Sequence, residues 1–302
     1  MESKSIVDNS GYNQFIIIII LTLIASILPE VIFREWIGSV PVGLSLFRLI
    51  LLLLAGILSQ YLKHRKITKY ILVLVVIILA DILTKNIFLS SVWQRIFDAN
   101  SFIGNFGGAI LLKIIGIIPV VGILIVLFKS PKAVYITKGD LSIKADEIKW
   151  LSIKKDKISW GKLAIISSVL ISLGTILLTI LTVPWTSTNL NMDNLIKYFP
   201  FVVILAILNS LSEGLLFRSA ILGSLKNVLP KNQAIFIAAM IFGIAHYYGA
   251  PSGVVGVIMS GLLGWYMLRS MYETKGFASS WIIHFMQDVV IFTTILLLGN
   301  FY

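Results

Sequence analysis

Apolar residues run in blocks too long for a half-buried strand and too unbroken for the one-sided stripe of a soluble helix. The blocks fall at 13 to 33, 41 to 62, 69 to 92, 102 to 128, 163 to 184, 198 to 222, 232 to 249, 253 to 270 and 276 to 299. Each comes close to or exceeds the roughly 20 apolar residues that a helix needs to cross a bilayer. The pattern predicts an all-α, polytopic integral membrane protein with about eight or nine transmembrane helices. The fourth block is the least regular. Its Gly104, Gly107, Gly108, Lys113 and Pro119 predict a split into an interfacial piece and a shorter crossing. The first block, FIIIIILTLIASILPEVIF, lacks a small-residue cleavage site and is expected to be retained.

Composition agrees with the pattern: 58% of the 302 residues are hydrophobic and 13% charged, with a mean hydropathy of +0.95. Soluble domains are roughly half apolar. The net charge of +11 changes meaning once it is placed along the chain. Lys and Arg gather in the 63 to 69 and 129 to 162 loops, joined on the same side by Lys4, Lys226, Lys231, Arg269 and Lys275. Only Arg34, Lys85, Arg95 and Lys197 fall on the other side. The positive-inside rule then predicts a cytoplasmic amino terminus in the cell membrane. The basic excess reads as topology and attraction to membrane lipid, with no nucleic-acid partner. The absence of cysteine excludes thiol catalysis, disulfides and thiolate-bound metals.

The one long polar stretch divides the chain into a four-helix membrane region (1–128), a cytoplasmic basic loop (129–162) and a five-helix bundle (163–302). Within the loop, YIT and LSI flank KGD and predict a small hairpin. No internal repeat supports an inverted-repeat transporter.

Ionisable groups inside a bilayer cost several kcal/mol unless paired or hydrated, so each is a functional candidate. The sixth block holds Asn209, Ser212, Glu213 and Arg218, the seventh ends in FGIAHYYG with His246, and the ninth contains HFMQD with His284 and Asp288. Spacing puts His284 with Asp288, and Asn209 with Glu213, on common helix faces. Glu213 and Arg218 are five apart, about 140° around an α-helix, and are not natural partners. His246 lies beside Tyr247 and Tyr248, as in an interfacial belt. His64, in KHRK, reads as a solvated loop residue. Asp81 and Lys85, four apart in the third block, predict an ion pair that Arg48 is placed to join. Glycines in SGVVGVIMSGLLG predict close helix packing.

The motifs EGLLFR (Glu213 to Arg218), FGIAH (Phe242 to His246) and HFMQD (His284 to Asp288), in this order on three helices, resemble the CPBP family. That family comprises the CAAX prenyl protease and bacteriocin-processing (Abi) intramembrane endopeptidases. The resemblance covers roughly residues 160 to 299 and makes 163–302 the catalytic bundle. It implies that Glu213 acts as general base, that His246 shares the activated water, and that His284 with Asp288 stabilises the oxyanion. Asn209, Arg218 and Phe242 support them. It implies hydrolysis of a peptide bond in a membrane-associated peptide or protein without a cofactor, in bacteriocin self-immunity or peptide processing. Gly214 departs from the family, which usually has a second glutamate there, so the i,i+4 pairing of that glutamate with Arg218 is lost.

Other readings remain open on the residues. His246, His284 and Glu213 match a thermolysin-like zinc ligand set, although H-E-x-x-H is absent. Serine chemistry lacks G-x-S-x-G, and aspartyl chemistry lacks an intramembrane pair. A catalytically impaired pseudoprotease that binds and regulates a membrane partner is the non-enzymatic alternative, and Gly214 is the residue that favours it.

Overall fold

The computed structural model describes residues 9–97, 101–182, 192–249 and 251–298. Lys4 and the ends of the fifth and ninth predicted spans, at 183–184 and 299, lie outside them. All nine apolar blocks are helical: α1 (Asn9–Ala25), α2 (Leu28–Ile37), α3 (Leu44–Tyr61), α4 (Arg65–Leu89), α5 (Ser91–Ile96), α6 (Gly108–Phe128), α7 (Trp160–Thr182), α8 (Met192–Glu213), α9 (Gly223–Leu225), α10 (Lys231–Ala245), α11 (Gly253–Thr274) and α12 (Ala278–Leu298). Seven of these runs are long and apolar enough to span a membrane, and the bent pair α1–α2 makes an eighth. The protein is a multi-pass membrane protein. Large side chains such as Leu54, Ile57, Ile165 and Leu173 stay exposed along α3 and α7, as lipid-facing positions must.

Two predicted details change. The fourth block is not split: a π-helical turn, Ile103–Gly107, runs directly into α6, and Pro119 sits inside the helix without ending it. Without water to satisfy freed backbone groups, continuing the helix is favoured over breaking it. The seventh block is shorter than predicted, because α10 stops at Ala245 and His246 leaves helical geometry at φ −96°, ψ 13°.

The chain divides into two compact units, Met1–Leu79 with Ile221–Trp265, and Ala80–Ala220 with Tyr266–Tyr302. In the first, α1 and α2 meet at a 62° bend. Pro29 has no N–H to offer the Ala25 carbonyl, so the ladder fails there. Arg48 of α3 occupies the break, donating to the carbonyls of Ile24 (2.8 Å), Ala25 (2.8 Å) and Ser26 (2.7 Å) and to Glu30 (2.8 Å). Arg48 thus closes a bent span, not the Asp81–Lys85 cluster that the sequence suggested. Its loss would strand three carbonyls and a carboxylate in an apolar layer, a defect of about 3–5 kcal/mol. Arg48→Met is expected to show this as a large drop in the unfolding midpoint in detergent. Arg48→Lys should recover only part of it, because an ammonium lacks the guanidinium fork. Elsewhere in this unit Tyr70 and Thr22 share a 2.6 Å hydroxyl contact. α10 and α11 pack at glycines: a Cβ on Gly243 would overlap the Val257 carbonyl and lie 3.1 Å from the Gly261 Cα.

In the second unit α12 packs against α7 and α8, and α6 against α8. Phe102, Ile110, Val202, Leu205, Phe292 and Leu296 form a core between α6, α8 and α12. Lys85 bonds Asp81 at 2.8 Å, as its spacing predicts. The 129–162 stretch does fold, but YIT does not pair with LSI. Isolated bridges join Lys144 to Ser159 and Ile148 to Ile153, while residues 137–140 dock on the turn between α11 and α12. Phe277 and Ala278 N–H groups donate to the Thr137 and Lys138 carbonyls (2.7 and 3.1 Å), and Asp140 N–H donates to Thr274 (2.9 Å). Gly139, at φ 78°, backs onto Gly276 so closely that neither has room for a Cβ. The Ser142 hydroxyl and N–H donate to Asp140 and hold its carboxyl below the usual range. Trp160, fully buried at the start of α7, donates its indole N–H to Glu273 at 2.7 Å, and Glu273 also pairs with Arg269 at 2.9 Å.

Candidate active site

The second unit gathers five of the seven singled-out residues. Asn209, Glu213, Arg218, His284 and Asp288 are all at least nine-tenths buried. α8 brings the first two, one helical turn apart, and α12 brings the last two in the same way.

Arg218 reaches the cluster because α8 stops being an α-helix. From Gly214 to Leu222 the chain is π-helical. A π-helix closes its turns between residues i and i+5, whereas an α-helix does so between i and i+4. Five residues, a mismatch on an α-helix, is one turn here. Glu213 and Arg218 consequently serve the same imidazole from its two nitrogens. The Arg218 guanidinium lies 3.2 Å from His284 Nδ1 through both terminal nitrogens, and Glu213 Oε2 lies 3.5 Å from His284 Nε2. Asp288 Oδ1 is 3.6 Å from that Nε2.

The partners fix the tautomer. A guanidinium can only donate, so His284 Nδ1 accepts and the proton sits on Nε2, facing the two carboxylates. Arg218 completes its own contacts with the Ser210 carbonyl (3.2 Å), Met267 Sδ (3.6 Å) and the face of Phe277 (5.5 Å to the ring centre).

Gly214 is no vacancy. A Cβ built there would overlap the Phe277 ring and an Arg218 nitrogen. The space that a second glutamate would occupy is filled by an aromatic ring and the guanidinium packed on it.

Sequence reasoning missed Lys113. From α6 its Nζ donates to Glu213 Oε1 at 2.5 Å and to Asn209 Oδ1 at 2.7 Å. Asn209, its carbonyl oxygen so engaged, donates through Nδ2 to Asp288 Oδ2 at 3.0 Å. The ring of contacts runs Lys113, Asn209, Asp288, His284 and Glu213, with Arg218 behind the imidazole. No partner lies near Lys113 in sequence; its position inside an apolar span is the one signal the sequence offers.

His246 and Phe242 belong to the other unit. His246 follows the last residue of α10, its Nδ1 2.7 Å from the Phe242 carbonyl and its ring 4.4 Å from that of Phe242. A carbonyl only accepts, so Nδ1 carries the proton and Nε2 is the acceptor nitrogen. This is the opposite tautomer from His284. Phe242, buried, packs where a side chain on Gly264 would stand.

Among the described residues, no three His, Asp or Glu side chains are grouped to hold a metal ion. The carboxylates that do converge are already engaged by an ammonium and an amide, with a guanidinium behind the imidazole.

Residues 195–290 match the model of the type II CAAX prenyl endopeptidase Rce1-like family. All three motifs lie within the match, while Lys113 lies before it. No curated protein and no solved structure matches the chain. The match over 195–290, carried by a polytopic helical membrane protein, supports a protease of the CPBP family.

Proposed function

We propose that this chain is an intramembrane endopeptidase that hydrolyses a peptide bond in a membrane-associated peptide or protein, with Glu213 as general base. The observation that carries the reading is the buried carboxylate–imidazole cluster inside a membrane-spanning bundle. Glu213 has one oxygen anchored on Lys113 and presents the other beside a histidine N–H. A carboxylate held this way can take a proton from water. The His284 Nε2–H, kept in its tautomer by Arg218, is the donor suited to the oxygen on which charge develops. Asp288 is oriented by Asn209. The resemblance gives His246 a share of the water, and an acceptor Nε2 is the tautomer that this role requires.

The cations around the cluster favour water activation without zinc. Incubating purified protein with a strong zinc chelator is expected to leave cleavage unchanged, and a loss restored by zinc would overturn that expectation. Of the substrate classes linked with the family, we favour bacteriocin self-immunity and peptide processing. We place the amino terminus in the cytoplasm, on the side of the basic 129–162 stretch. The partner-binding alternative draws on Gly214, and the filled space beside that residue favours the protease reading over it.

The test is a comparison of new protein amino termini in cells carrying the wild type or Glu213→Gln at matched membrane levels. Termini that disappear with the substitution support the protease and name its substrates. Identical termini would overturn it and leave the partner-binding reading.

A further inference from the structure

The geometry assigns Lys113 as a positioning residue of the active site, one that holds Glu213 and Asn209 in working orientation from outside the three motifs. The inference rests on the proteolytic reading of the cluster.

Lys113 lies ten residues into the span that begins at Ile103, about 15 Å along its axis at 1.5 Å per residue. That depth does not favour simple snorkelling to an interface, and the ammonium instead points at two polar groups of α8. Three consequences follow from those two contacts. The first is orientation of the base: with Oε1 bound to Lys113, the other oxygen of Glu213 is the one turned to His284 Nε2. The second is the sense of the Asn209 amide. An ammonium can only donate, so the Asn209 oxygen faces Lys113 and the NH2 is left to donate to Asp288, as observed. The third is charge. Glu213 and Asp288 both approach one imidazole N–H, and two carboxylates so placed repel each other. Lys113 and Arg218 supply one cation for each. Remove Lys113 and the base and the amide both lose the contact that sets them, and the second carboxylate loses the fixed sense of the amide that donates to it. The Lys113 side chain remains 45% exposed beside a Glu213 that is 10% exposed, so the ammonium stands at the open edge of the cluster.

The experiment uses the full chain, purified in detergent, and a quenched fluorescent peptide spanning one junction identified by the comparison of wild type with Glu213→Gln. Lys113→Met, which keeps the length of the side chain and suits the apolar span, is expected to lower kcat about 100-fold, the scale of loss for a displaced reacting group. KM should stay near wild type, the thermal midpoint should fall because a buried carboxylate loses its cation, and Lys113→Arg should restore most of the rate, since a second cationic donor can reach the same oxygens. Cleavage by Lys113→Met within twofold of wild type would overturn the assignment. So would a loss that Lys113→Arg fails to restore, because that marks a merely structural contact. Should Glu213→Gln leave every terminus unchanged, the proteolytic reading itself fails and the assignment falls with it. The two failures are thus read from different variants.

Discussion

Glu213→Gln is expected to slow cleavage of a junction peptide by about 100- to 10,000-fold, the range for removing a general base. The substitution keeps the shape of the side chain and its ability to accept from Lys113 through Oε1. It removes the negative charge and the basic oxygen beside His284 Nε2. Folding should be little affected, because the amide oxygen still accepts from Lys113 in the place of the carboxylate oxygen. His284→Ala is expected to cost about 100- to 1,000-fold, as for the loss of one oxyanion donor. It should also disturb the protein more, since Arg218 then faces an empty site in a fully buried position. The two can be separated by measuring rate and thermal midpoint on the same preparations. A Glu213→Gln protein that retains more than a tenth of wild-type rate would show that the proton goes elsewhere.

The second large effect concerns the residue that seemed the defect. Restoring the family's glutamate by Gly214→Glu is expected to reduce both activity and stability, not to improve them. The new Cβ alone collides with Phe277 and Arg218, and forcing bulk into a packed site costs about 1–3 kcal/mol. The added carboxylate would draw Arg218 away from His284 Nδ1 and free the imidazole to adopt the other tautomer. The Nε2–H donor would then be lost even where the fold survives. Gly214→Glu combined with Phe277→Ala supplies space for the side chain and is expected to regain part of the midpoint lost by the single variant. Gly214→Glu with full or increased cleavage would show that the cluster does not depend on the packing described.

How much of this was legible in the chain follows the physics of each signal. Long apolar runs report burial in lipid directly, so the helices could be read with only their ends in error. The bend after Ala25 was missed because an apolar run says nothing about the hydrogen-bond ladder inside it, although Pro29 carried the information. In the basic stretch the expected hairpin of YIT with LSI does not form: Thr137 and Lys138 offer their carbonyls to a turn some 140 residues further on, which local pattern cannot foresee. Motif spacing located Glu213, His284 and Asp288 because each pair lies on a single helix. Spacing separated Glu213 from Arg218 as direct partners, but α-helical periodicity does not foresee the π-helical stretch that brings both to one imidazole. A helix apolar on every side shows no change of hydrophobic period to announce the switch. Lys113 was overlooked because its partners are 96 and 100 residues away in sequence.

The π-helical stretch also changes what kind of alteration the segment tolerates. Between Glu213 and Arg218 the site depends on the number of residues more than on the identity of most of them. Exchanging Leu215, Leu216 or Phe217 for other apolar residues of similar bulk leaves the charged pair in step. Removing any one of the three turns Arg218 by roughly 80–100° and shortens its reach. Drift by substitution is open to this segment, whereas drift by insertion or deletion is closed.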